Sequence, residues 1–207
     1  MNKRTESSAA RRRQILQATL AEFSEHGLNH MTIAAISARS GASVGSIYHH
    51  FGDREGVLYA LYHQCFSTCF DELKQAVQSE TSARAGMIAL VTTYLGWIDA
   101  HPQHGRFMYE ASGGDLLLHH RDQIVAFKGE FYAAIMQWMQ PYIVSGEIIA
   151  LPPWAYDVII MGPAHEFARR WLGGLREMPM ETAQTMIAEA IWRAVQAPPA
   201  ASATTAR

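Results

Sequence analysis

The sequence contains only two cysteines, Cys65 and Cys69, too few for a disulfide framework. Long apolar runs are also missing: stretches such as 148–151 and 158–161 fall far short of the roughly 20 residues needed to cross a bilayer. Residues 1–10 are polar and basic, without the apolar centre of a signal peptide, so a cytoplasmic protein is expected. Sustained period-two alternation between turn signals is absent, which leaves strands absent or minor, and no repeat of fixed period occurs.

Catalytic grammar is equally thin. Gly41 to Gly45 formally matches the Gly-x-Ser-x-Gly of a hydrolase elbow, but that elbow needs a strand before it, and 32–40 is helix-periodic. Phosphate loops of the Gly-x4-Gly-Lys type do not occur. His165-Glu166 has Arg169 where a zinc protease carries its second histidine. No enzyme, cofactor or metal site is therefore expected.

Strong net charge is the last absence: −2 gives the whole molecule no broad pull on nucleic acid. The sum hides an asymmetry. Up to Arg54 there are seven Lys or Arg and four acids, which leaves +3 on the head and −5 on the remainder. A small basic head on an acidic body suits a chain whose first segment meets phosphate.

What the sequence does have is apolar residues at helical spacing, 49% of the chain, enough for a sizeable core. Residues 11–26 read as a helix through Ile15, Leu16, Leu20 and Phe23, with Ser8 placed to cap it and Gly27 to stop it. A short second helix over 32–40 has Thr32 as cap, Ile33 and Ile36 on one face, and Gly41 where positive φ is wanted. Ser43 then caps a third helix, buried through Ile47 and Phe51 and ended by Gly52. Asp53 caps a long fourth helix to about residue 79, striped by Val57, Leu61, Cys65, Cys69, Leu73 and Val77. Further helices are expected over 86–100, 103–112, 116–142 and 154–172, with a ninth capped by Thr182 and ending near Pro198. The fold class is all-α, with a head over 1–52, a body over 53–197 and a disordered tail over 198–207.

The informative segment is 32–51. A capped short helix, a Gly-centred turn and a second short helix form helix-turn-helix grammar, in which a rigid outer helix fits a major groove about 12 Å wide. Ser43, Val44, Gly45 and Ser46 are small enough for the backbone to approach base edges. Tyr48, His49 and His50 reach phosphates or thymine methyls, Thr32 and the helix N-terminus offer phosphate donors, and Arg54 clamps the strand beyond.

Over about residues 11–62 this pattern resembles the TetR family of bacterial regulators. The family opens its second helix on Thr, follows with an Ile-Ala pair and Ala-Gly-Val-Ser-x-Gly across the turn, then Leu-Tyr-x-His-Phe and Lys-Glu-x-Leu. Here those places hold Thr32, Ile36-Ser37, Ser40-Gly41-Ala42-Ser43-Val44-Gly45, Ile47-Tyr48-His49-His50-Phe51 and Arg54-Glu55-Gly56-Val57-Leu58. Ser37, Ala42 and Arg54 depart from the pattern, and Gly56 inside a helix costs about 1 kcal/mol relative to Ala. The resemblance implies phosphate contacts by Thr32, Ser43, Tyr48, His50 and Arg54, and base contacts by Val44, Gly45, Ser46 and His49. It also implies nine helices, a small-molecule site in the body and dimerisation through the last two helices. The expected function is a repressor released from a palindromic operator by a small hydrophobic effector. A ligand-free DNA-binding adaptor run by a protein partner, and an activator, stay open at this point.

For the effector, Trp97, Phe107, Met108, Phe127, Phe131 and Trp138 supply apolar walls, and Tyr94, His101, His104 and Glu110 the few polar contacts. The same aromatics also suit a plain filled core. The histidines fit no closed metal site, because His101 and His104 straddle a Pro break and His119 and His120 diverge on a helix. Cys65 and Cys69 lie on an apolar stripe, where thiols are inert. A single head reads one half-site, so a homodimer is expected. Its surface is assigned to Tyr156, Ile159, Ile160, Pro163, Phe167 and Trp171 on one helix and to Ile187 and Ile191 on the next.

Overall fold

The computed structural model describes residues 3–112 and 115–198, and of 3–5 and 115–117 the backbone alone. Among the described residues nine α-helices follow in order: α1 (Lys3–His26), α2 (Ile33–Ser40), α3 (Val44–Phe51), α4 (Arg54–Gln78), α5 (Ala83–Ala100), α6 (Pro102–Ser112), α7 (Arg121–Val144), α8 (Pro153–Leu172) and α9 (Met180–Val195). The all-α class is as expected. None of these helices is long and apolar enough to cross a membrane. The predicted tail lies outside the described residues, apart from Pro198.

Packing divides the chain into two compact units, Met1–Asp71 with Trp97–Glu130, and Glu72–Gly96 with Phe131–Arg207. In the first, α1 lies against α2 and α6, and α2 against α3. Ile15, Ile36 and Ile47 are wholly buried, each stabilising the unit by about 1.5–3 kcal/mol. Phe107 of α6 meets Phe23 of α1 edge to face at 5.1 Å. Arg39 of α2 is held by two carboxylates of α1: its Nε lies 2.8 Å from Glu22 and its terminal nitrogens bind Glu25. This pairing keeps Glu25 below its usual carboxylate range.

In the second unit α8 lies against α9, and Ala164 and Ala168 of the one and Ala183 and Ala188 of the other are buried. Tyr94 donates from its hydroxyl to His165, or accepts from it, at 2.8 Å. A single strand-like contact pairs Ile148 with Gln196, with Ile149 N donating to Val195 O at 2.8 Å. It ties the loop after α7 to the end of α9. Gly86 leaves room for an indole: a Cβ there would stand 1.9 Å from the Trp138 ring.

Several boundaries differ from expectation. α1 begins about two turns earlier and includes Ser8, because the intervening Ala9 and Ala10 favour helix and Glu6 complements the positive end of the dipole. α5 starts at Ala83, where Ser82 Oγ accepts from Ala85 N at 3.2 Å. The segment expected as one helix from 116 begins as a 3-10 turn over Asp115–His120, and α7 follows it. α9 opens on Met180 behind an extended Pro179, which places Thr182 inside the first turn rather than at the cap.

Candidate nucleic-acid interface

The turn between α2 and α3 is built from its own small side chains. Gly41 takes φ 65°, the left-handed conformation that ends a helix, and its N–H donates to Ser37 O at 3.0 Å. Ser37 Oγ donates to Ala42 O at 2.7 Å, and Ser40 Oγ accepts from Ala42 N at 3.2 Å. Ser37, a departure from the family pattern, is thereby given a structural role. Gln14 of α1 fixes the turn from behind through a 2.9 Å bond to Ser40 O.

Both helices are capped by hydroxyls. Thr32 Oγ1 accepts from Ala35 N at 3.1 Å, and Ser43 Oγ accepts from Ser46 N at 3.2 Å. Each cap uses an oxygen lone pair, which leaves its hydroxyl hydrogen for an outside acceptor. Together with the positive helix ends, these hydrogens make two anion-facing positions.

On α3 the side chains divide cleanly. Ile47 is wholly buried, whereas Ser43, Val44, Gly45, Tyr48 and His49 are exposed and Ser46 is half-buried. A Cβ built on Gly45 meets nothing within 4 Å, so its backbone stands bare to the outside. His50 is half-buried, and burial with the nearby His49, Arg12 and Arg11 pushes its pKa down. Seven of the nine predicted DNA residues, Ser43, Val44, Gly45, Ser46, Tyr48, His49 and His50, thus share α3 and its cap, while Thr32 caps α2.

Arg54 is placed differently. Its guanidinium turns inward, donating from Nε to Met31 O at 2.5 Å and from a terminal nitrogen to Leu28 O at 3.0 Å. Carbonyls of the first residue and of the C-cap of a 3-10 turn over Leu28–His30 take the cation that was expected to clamp a strand. Arg12, not among the residues expected to meet DNA, packs over the Phe51 ring at 4.5 Å and donates to His50 O at 3.2 Å. Arg11 and Arg13 are exposed beside it. The signal for these residues was the basic run just ahead of Ile15.

Residues 15–61 match the family of bacterial regulatory proteins described as tetR family. That similarity to the tetR family lies in the N-terminal segment, 47 of the 207 residues. Among its relatives, the HTH-type transcriptional repressor KstR2 of Rhodococcus jostii is 32% identical over 96 residues, 46% of this chain and 47% of that protein. BetI of Cronobacter sakazakii, an HTH-type transcriptional regulator, is 38% identical over 85 residues, 39% and 41% of the two chains. The match therefore spans less than half the length of these curated relatives. Solved structures share the fold over most of the chain. A TetR-family transcription regulator from Marinobacter aquaeolei superposes with a TM-score of 0.75 at 19% identity, covering 95% of this chain and 100% of that one. The regulator FadR of Bacillus subtilis, solved with stearoyl-CoA, gives 0.73 at 16% identity over 86% and 96%.

The predicted effector residues take different places among the described residues. Phe131 lines a recess of about 40 Å³ between α5, α7 and α8. Trp138 instead fills the space at Gly86, and Phe107 and Met108 are buried core of the first unit. Trp97, His101 and His104 form a cluster of rings, and burial together with His101 pushes His104 down. Phe127 meets Tyr62, His63 and Phe66 at inclined ring angles, and Tyr94 is engaged with His165. Glu110, expected inside, is exposed and pairs with Arg106 at 3.8 Å, one turn away. Burial holds the Cys65 thiol up to about 12, as an apolar stripe requires.

The predicted dimer residues also divide. Tyr156, Ile160, Trp171 and Ile191 are buried within the chain itself. Tyr156 is fixed by its hydroxyl, which donates to Ile149 O and accepts from Leu151 N. Ile159, Phe167 and Ile187 are half-buried and Pro163 exposed. The large apolar side chains left open on α8 and α9 are Trp154, Val158 and Met186.

Proposed function

We propose that this chain is a homodimeric, cytoplasmic, DNA-binding transcriptional repressor of the TetR family, with residues 1–52 as the DNA-binding head and 53–197 as the body. The reading rests on one observation above all: α3 is anchored by a wholly buried Ile47 while its opposite side stands open and bare at Gly45. Thr32, Ser43, Tyr48 and His50 are assigned to phosphates, and Val44, Gly45, Ser46 and His49 to base edges. Arg11, Arg12 and Arg13 add charge beside them. The names of the relatives, a repressor and regulators, favour transcriptional control over any other use of the head.

The body takes a small hydrophobic effector in this reading, supported by the apolar recess against Phe131 and, in FadR, by a bound acyl-CoA. Effector binding shifts α4 and with it the separation of the two recognition helices. Coupling of the usual 1–3 kcal/mol corresponds to roughly 5- to 150-fold in operator affinity. Gel shifts on fragments of the source genome at low ionic strength test the reading. Retarded complexes that weaken steeply with salt support it. No complex at any salt rejects it, and ligands that bind without changing operator affinity reject the release step.

Pairing of two chains is assigned to the open faces of α8 and α9. Val158 and Met186 are 60% and 57% exposed, and burying them against a second copy removes their apolar area from water. The double variant Val158→Glu, Met186→Glu is expected to elute as a folded monomer with operator affinity at least about 100-fold lower, because one half-site alone remains. Light scattering with circular dichroism reads this outcome. A dimer of unchanged stability would show that another surface pairs.

A further inference from the structure

The recess between α5, α7 and α8 is almost wholly apolar, with Phe131, Tyr132, Met136 and Met161 in its wall. One lining residue is charged. Asp157 is in its wall, and the buried carboxylate oxygen Oδ1 of that residue has no hydrogen-bond partner. No Lys, Arg or His is among the lining residues. Tyr156, the nearest hydroxyl in sequence, is spent on the loop at Ile149 and Leu151 and leaves only its ring to the recess.

A buried, unpartnered carboxylate oxygen is costly to a fold unless something outside the chain completes it. The Phe131 and Tyr132 rings, 5.7 Å apart and inclined at 60°, add faces whose negative quadrupole attracts positive charge. Anions meet the opposite: a like charge in a water-poor wall. The three methionines Met136, Met139 and Met161 are flexible enough to widen a recess of this size around an incoming group.

We propose that this recess binds an organic cation: an ammonium group donates to Asp157 Oδ1 while an apolar body lies against Phe131, Tyr132 and the methionines. The proposal rests on the effector reading above and narrows it to a charge sign and a site. It also sets the chain apart from FadR, whose solved ligand is an acyl-CoA.

Calorimetry on the intact wild-type protein with phenethylammonium, phenethyl alcohol and 3-phenylpropanoate tests it, because the three probes differ mainly in charge. Phenethylammonium is expected to bind at least 10-fold tighter than the alcohol, and the carboxylate not to bind. Asp157→Asn is expected to cost the cation at least 10-fold and the alcohol little. Equal affinities for the three probes, or a cation affinity untouched in Asp157→Asn, overturn the proposal. So does an absence of cation binding with a raised Tm in Asp157→Leu, which makes Oδ1 the seat of an ordered water only. Gel shifts run on the same wild-type sample separate the two readings: intact DNA binding without cation binding sinks this proposal alone, and lost DNA binding sinks the regulator.

Discussion

Gly45→Leu is expected to raise the stability of the protein and abolish its use of DNA. Inside a helix, glycine costs about 0.5–1 kcal/mol relative to a good helix former, so leucine returns about that much to α3. The added side chain meets no protein atom, since even its Cβ finds nothing within 4 Å. The same open space is where the account places base edges, and leucine there holds the backbone several ångströms off the groove. Operator affinity should fall at least about 100-fold, or about 2.7 kcal/mol. Thermal melts and gel shifts on one sample check both signs. A leucine variant that binds DNA normally would mean that α3 does not enter the groove.

Gly56→Ala should do the reverse to stability. Helix propensity again favours alanine, here by about 1 kcal/mol near the start of α4. Geometry decides otherwise, because a Cβ at 56 would lie 2.0 Å from the carbonyl oxygen of Phe51. That oxygen is backbone at the end of α3, so it cannot swing aside as a flexible side chain does. α4 must move away, straining Asp53, whose Oδ1 accepts from Gly56 N at 2.6 Å and caps the helix. A net loss of about 2–3 kcal/mol follows, a fall in Tm of roughly 4–12 °C for a chain of this size. A melting curve at or above that of the wild type would contradict the close approach of the two helices.

These glycines illustrate what was legible and what was not. The turn glycines could be read directly: Gly27, Gly41 and Gly52 all take positive φ at helix ends, where a side chain is strained. Thr32, Ser43 and Asp53 were legible as caps because a short polar side chain before an apolar period has few other uses. Gly56 was not, since its reason lies in a carbonyl of a different helix. Arg39 and Arg54 counted as positive charge on the head, yet their partners are carboxylates and carbonyls of the chain itself. Charge sign alone does not distinguish an internal acceptor from a phosphate.

On α8 and α9 the difficulty was one of face. Both helices carry apolar residues on more than one side, and spacing alone does not say which side meets the chain and which meets a partner. Tyr156 and Ile160 took the inner side, and Trp154 and Val158 were left outside. Of the residues expected to meet an effector, Phe131 alone lines the recess between α5, α7 and α8. Asp157, an isolated acid in an apolar run, reads as solvent-facing until its surroundings are known.

Selection of bound sequences from random duplexes by the purified wild-type protein tests the central claim most directly. The account predicts enrichment of two inverted half-sites whose centres lie about one helical turn apart, roughly 34–36 Å, or a multiple of it, with enrichment lost in Gly45→Leu. Failure to enrich any sequence, or equal enrichment by the leucine variant, would contradict it.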